Sequence, residues 1–238
     1  MIKRRLFKFK KTSDKNIEDL MNNRLWISNL YLMNDPMDLA FFVDSKKVKI
    51  DFDNNDVIKF QAHITKHIFC ASFTTVFSNK RLWNYYSDGF FGFALGYKPT
   101  DIRKSINALN LQSIEDKITY ANTRFDYTNL FRAFLQRKNM QIPIPQKSLF
   151  TKDKSWSEEK EYRFSIQNPI FKVDDKGFKL LNVKPCVIYV GYKIKKDALF
   201  SIISYCEKNN IPLNVYMPKF DSKELGFQNI KFFNLLLD

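Results

Sequence analysis

The stretch Glu159-Lys160-Glu161-Tyr162-Arg163-Phe164-Ser165-Ile166 alternates with a period of two. On a strand, residues two apart share a face. Tyr162, Phe164 and Ile166 then point to a core, and Glu159, Glu161 and Arg163 line the other face. A strand late in the chain, charged on one side and apolar on the other, requires a sheet with a covered face. The plain outcome is a solvated strand face with cross-strand ion pairs, each worth about 0.5 kcal/mol. The chemical outcome is two carboxylates and a guanidinium that bind a hydroxyl, stabilise a developing cation or hold an anion through Arg163.

The rest of the chain supplies further strands and several helices. Arg5–Lys10, Leu25–Ser28, Ile68–Thr74, Phe90–Tyr97, Phe178–Val183, Val187–Tyr192, Leu213–Met217 and Gln228–Leu237 read as strands. The glycines in Phe90–Tyr97 suit a close approach of backbone or ligand. Helical spacing covers a short segment after the cap Ser13 or Asp14, and then Asp56–His67, Arg81–Ser87, Asp101–Leu109, Ser113–Lys138 and Lys195–Asn209. Asp35-Pro36-Met37-Asp38 has the form of a helix start, with Asp35 as cap. Strands outnumber strand–helix–strand alternations. The expected fold is therefore mixed α+β, a mainly antiparallel sheet with flanking helices. No linker or repeat breaks the 238 residues, which read as a single domain, 1–238, with a helical segment around 100–140.

Composition limits the partners. There are 39 Lys plus Arg against 25 Asp plus Glu, a net charge of +14. Such a surplus points to DNA or RNA, an acidic protein or a phosphate-bearing molecule. An AT-rich genome, with its many Lys, Asn, Ile and Phe codons, gives the same surplus by drift. No apolar run is long enough for a membrane helix, and the basic start MIKRRLFKFKK lacks the apolar stretch of a secretory signal. A cytoplasmic protein with no membrane association is expected. Cys70, Cys186 and Cys206 form no short-spaced pair and read as reduced core residues. His63 and His67 share a helix face at i, i+4 but lack a third ligand, so no metal site is expected. Leu82-Trp83-Asn84-Tyr85-Tyr86 suits either a stacking wall for a base or an ordinary aromatic core. A phosphate loop, a nucleophile elbow and a DNA-reading helix are all missing.

The order of these pieces resembles a known family. Leu6-Phe7-Lys8-Phe9-Lys10 is followed by Leu25-Trp26-Ile27-Ser28 and Met33-Asn34-Asp35-Pro36-Met37-Asp38. Then come Phe69-Cys70-Ala71-Ser72-Phe73, Leu82-Trp83-Asn84-Tyr85-Tyr86, Gly92-Phe93, and Trp156 with Glu159-Lys160-Glu161-Tyr162-Arg163. This is similar to the prokaryotic and phage family catalogued as domain of unknown function 2971, over nearly the whole chain. One departure is Tyr85, where such proteins tend to have His. The layout also looks like an ADP-ribosyltransferase. That likeness implies cleavage of the NAD glycosidic bond and transfer to nucleic acid or protein, as an enzyme or toxin, with a role in anti-phage defence and an antitoxin or other partner protein. By the same analogy Glu161 or Glu159 is the catalytic carboxylate. Lys8 sits at the first-strand position, and Lys8 or Arg163 holds the pyrophosphate. Asn34 and Asp35 supply the loop after the second strand, and Trp83 and Tyr86 wall the nicotinamide. The competing expectation is a basic, non-catalytic module that binds nucleic acid or protein. A third is a metal-independent nuclease or glycosidase using Glu159, Glu161 and Arg163.

Overall fold

The computed structural model describes residues 5–33, 35, 38–39, 41–136, 144–167, 176–220, 223 and 226–231. The fold is mixed α and β with mainly antiparallel strand pairing, as the pattern of the sequence implies. The chain gathers into two compact units. One comprises Met1–Leu25, Phe73–Asn110 and Lys179–Asp238; the other comprises Trp26–Ser72 and Leu111–Phe178. We call them the terminal and the central unit.

In the terminal unit, strand Leu6–Lys10 runs antiparallel to Phe93–Tyr97, with Lys8 opposite Leu95. Phe93–Tyr97 in turn runs antiparallel to Val187–Gly191. Val187–Gly191 is parallel to Leu213–Pro218, and helix Lys196–Asn209 makes the crossover that a parallel pair needs. Phe227–Lys231 completes the order against Leu213–Pro218. Helix Asp14–Met21 starts where Ser13 accepts a hydrogen bond from the Asn16 backbone N–H. Phe7, Trp83, Phe90, Ala94, Val187, Tyr189 and Tyr216 form one core cluster of this unit. Two glycines are steric necessities. A Cβ on Gly92 would lie 2.1 Å from the Lys10 carbonyl oxygen, and one on Gly191 would lie 2.1 Å from that of Phe90.

In the central unit, strand Glu161–Gln167 pairs with Ser113–Lys117, Arg163 lying opposite Asp116, and also with Ile68–Thr74. Leu25–Asn29 pairs with Ile68–Thr74 through Ser28 and Cys70. Thr119–Ala121 and Thr151–Asp153 form a short parallel pair with Tyr120 opposite Lys152. Helix Asn54–Thr65 opens with a reciprocal cap between Asp53 and Asp56. Phe60, Ile64, Ile68, Cys70, Ile118, Tyr127 and Phe131 share the core of this unit.

Three expectations are corrected. Ser113–Lys138 is not one helix. It holds strands Ser113–Lys117, Thr119–Ala121 and Phe125–Asp126 before helix Thr128–Gln136. Ile118 and Phe131 do meet in one core, but from separate elements, because pairing with the Glu161 strand outweighs the helical spacing. In the expected helix start at Asp35, Pro36 and Met37 lie outside the described residues; the Asp38 N–H donates to the Asp35 carbonyl at 3.0 Å. Finally, Glu159 ends a 3-10 turn, Lys154–Glu159. Lys160 adopts the left-handed conformation at φ 45°, and the strand starts at Glu161. His67 lies past the end of its helix at Thr65, so the two histidines do not share one helix face.

Candidate functional site

Strand Glu161–Gln167 is buried on both faces, so its charges must find partners inside the protein. Arg163, with no exposed surface, finds three. Its Nε donates to Glu161 Oε1 at 2.7 Å, its Nη2 to Asp38 Oδ1 at 2.8 Å and its Nη1 to the Leu149 carbonyl at 3.1 Å. Lys152, 5% exposed, bridges the two glutamates. Its Nζ lies 2.8 Å from Glu159 Oε2 and 3.4 Å from Glu161 Oε2, and 4.5 Å from the centre of the Trp156 ring. The Glu161 backbone N–H donates to the Tyr120 hydroxyl oxygen at 2.8 Å.

Burial and charge decide the protonation states. Burial pushes the Glu161 carboxyl up, but Arg163 and Lys152 outweigh it and hold the group below its usual range. For Asp38 burial wins over the pull of Arg163, and its pKa is raised. Burial lowers Lys152 while Glu161, Asp38 and Glu159 raise it, with a net upward shift. Three carboxylates face two cations, so one negative charge is in excess when all are ionised. The excess falls on Asp38, whose Oδ2 is buried without a hydrogen-bond partner. A proton on Asp38 brings the cluster to neutrality. The Cys70 thiol is pushed up to about 11 by burial and is no nucleophile at neutral pH.

This arrangement ties the fold together. The Glu161 carboxylate, 3% exposed, has one oxygen on the guanidinium and the other facing the ammonium, so both of its oxygens are engaged by protein cations. A cavity of about 120 Å³ lies between residues 121–125 and Thr151–Asp153.

Of the residues singled out in the sequence, Glu159, Glu161 and Arg163 come together here. Asp35 is buried in the same unit, and its carbonyl anchors the turn that carries Asp38. Asn34 lies outside the described residues. Lys8, Trp83 and Tyr86 belong to the terminal unit. Lys8 Nζ lies 5.3 Å from the centre of the Phe73 ring. Tyr86 ends helix Lys80–Tyr86, half-buried. Two proposed ligand contacts are corrected. Trp83 is fully buried, stacked on Phe90 with centroids 5.5 Å apart, and its Nε1–H donates to the Phe77 carbonyl; it offers no face to a nicotinamide. Arg163 spends one N–H of each of its three nitrogens on protein acceptors and has no exposed surface to offer a pyrophosphate. Sequence reasoning missed Lys152 and gave Asp38 only a capping role. Lys152 carries no local signal; Asp38 stood in the flagged Asn-Asp-Pro segment.

A family described as "Protein of unknown function (DUF2971)" matches residues 82–164, from the aromatic helix through the Glu-x-Glu-Tyr-Arg motif. No curated protein and no solved structure matches the chain. No helix among the described residues is long and apolar enough to cross a membrane. Residues 82–164 are thus similar to a family whose own description assigns no function.

Proposed function

We propose that this chain is a basic, non-catalytic module that binds nucleic acid, with the Glu-x-Glu-Tyr-Arg strand serving as the internal tie of its central unit. The observation that carries this reading is the unequal burial of charge. Among the described residues four acids are buried, Asp19, Asp35, Asp38 and Glu161, but only two bases, Lys152 and Arg163. The remaining residues therefore hold a net +16, more than the +14 of the whole chain. Drift in composition accounts for a surplus of lysine, but not for the selective burial of acids. A surface of that sign attracts polyanions and releases their counterions on contact. The test is binding of labelled DNA and RNA as salt is raised. A steep fall in affinity supports the reading, and affinity that stays flat, or no binding, contradicts it.

One observation favours a second reading, ADP-ribosyl transfer from NAD. Its layout asks the Asn34-Asp35-Pro36 segment and the late acidic strand to meet; Asn34 lies outside the described residues, and Arg163 joins the strand to Asp38, two residues past Pro36. Glu161 would have to leave both cations to contact a ribose. The NAD role, the toxin and anti-phage role and an antitoxin partner all stand or fall with this reading. Incubation with labelled NAD and candidate acceptors decides it: turnover lost in Glu161→Gln and Glu159→Gln supports transfer, and absence of turnover in the wild type removes it.

A further inference from the structure

We infer that the terminal unit carries a stacking platform for single-stranded nucleic acid, built from Phe91, Tyr192 and Lys193. This rests on the nucleic-acid reading above and gives it a site and a preferred strand form. Phe91 is 40% exposed and Tyr192 38% exposed. Other aromatics are more exposed, Tyr85, Phe200 and Phe220 among them; what sets this pair apart is the lysine that the two rings share. Lys193 Nζ lies 5.7 Å from the centre of the Phe91 ring and 5.5 Å from that of Tyr192, so one cation serves both rings. Behind them the aromatic row continues inward, with Phe90 at 5.5 Å from Tyr192 and Phe227 at 5.1 Å from Phe90. Lys80 Nζ sits 4.9 Å from the Phe227 ring, so the row has a lysine at each end.

The backbone holds these rings in place. Asp88, Gly89 and Phe90 take φ of 54°, 63° and 73°. For a residue as bulky as Phe90 that conformation is costly and marks a segment whose shape matters. Gly191 lets the 191–193 loop lie against the Phe90 carbonyl, and the Lys193 N–H donates to that oxygen at 3.2 Å. Gly92 lets the end of the first strand approach, and the Thr12 hydroxyl donates to the Phe91 carbonyl at 2.6 Å. That strand end brings the exposed Lys11 near. Asp88 is the acidic neighbour, through its carbonyl to the Phe91 N–H. Exposed rings interleaved with lysines are the chemistry of sequence-tolerant single-strand binding, in which bases stack and phosphates meet ammonium groups. Paired bases keep their faces covered, so a duplex gains from the lysines only.

The experiment is fluorescence anisotropy with single-stranded DNA and RNA of about 16 nucleotides, and a duplex of equal length. Phe91→Ala and Tyr192→Ala are each expected to weaken single-strand binding about ten-fold and leave duplex binding unchanged. Phe91→Tyr is expected to bind like the wild type. Lys193→Ala is expected to reduce the slope of log K against log salt by about 0.7. Far-ultraviolet circular dichroism verifies that each surface variant is folded. If wild type binds single strands and both alanine variants bind equally well, the platform is overturned while the nucleic-acid reading stands. If wild type binds neither form, both fall.

Discussion

Arg163 Nη2 and Asp38 Oδ1 lie 2.8 Å apart, joined across 125 residues of chain. Both side chains are buried, and the same guanidinium holds Glu161 and the Leu149 carbonyl. One arginine thus fixes a turn, a strand and the end of a short helix, Gln146–Leu149, in a common interior.

Removing that arginine leaves the buried Asp38 without its donor and Glu161 with Lys152, 3.4 Å away, as its remaining cation. Arg163→Ala is expected to lower stability by about 3–5 kcal/mol, measured by urea unfolding at neutral pH. Arg163→Lys is expected to recover little of it, because one ammonium cannot span Asp38, Glu161 and Leu149 in the geometry of a planar fork.

Asp38 gives the cluster a pH dependence with a definite sign. Its folded pKa is raised above 3.8, so its contribution is full below 3.8 and is lost as pH rises through the folded value. Glu161 acts in the opposite sense. Its folded pKa lies below 4.5, so its contribution is present above 4.5 and is lost as pH falls through the folded value. Asp38→Asn mimics the protonated acid. Unfolding free energies measured from pH 4 upward are expected to show this variant gaining on the wild type as pH rises, and a constant difference would refute the assignment.

Trp83 separates a core role from a ligand-facing one. Trp83→Ala is expected to cost about 3–5 kcal/mol, since it empties a fully buried site and strands the Phe77 carbonyl. Tyr85, on the same helix and 68% exposed, is expected to change stability by less than about 0.5 kcal/mol when replaced by Ala. Thermal melts of the pair check both.

The two close-approach glycines predict a local effect. Gly92→Ala and Gly191→Ala each drive a methyl into a carbonyl oxygen and are expected to cost about 1–3 kcal/mol or more by urea unfolding. Wild-type stability in either variant would mean that the loops carrying Phe91 and Tyr192 are not packed as described.

Much of this architecture is legible in the residues, because strong period-two segments such as Leu6–Lys10 and Ile68–Thr74 announce themselves. The covered side of the Glu161 strand is not. Alternation marks Tyr162, Phe164 and Ile166 as inward, and nothing local says that Glu161 and Arg163 are inward as well. Their burial depends on Lys152 and Asp38, which lie on other elements. Ser113–Lys117 fails for a related reason: Ile114 and Ile118 fit a helix by spacing, and only the neighbouring strand makes the segment extended. The platform residues were visible only in part. The glycines of Phe90–Tyr97 suit a close approach, but spacing does not encode that Lys193 lies over both Phe91 and Tyr192.

The role proposed for the Glu-x-Glu-Tyr-Arg motif is that of an internal tie of the central unit. Urea unfolding of Glu161→Gln at neutral pH tests it most directly. Loss of about 3 kcal/mol or more is predicted, because Arg163 and Lys152 lose the carboxylate between them. A variant as stable as the wild type, or more stable, as is common when a strained active-site group is replaced, would contradict it.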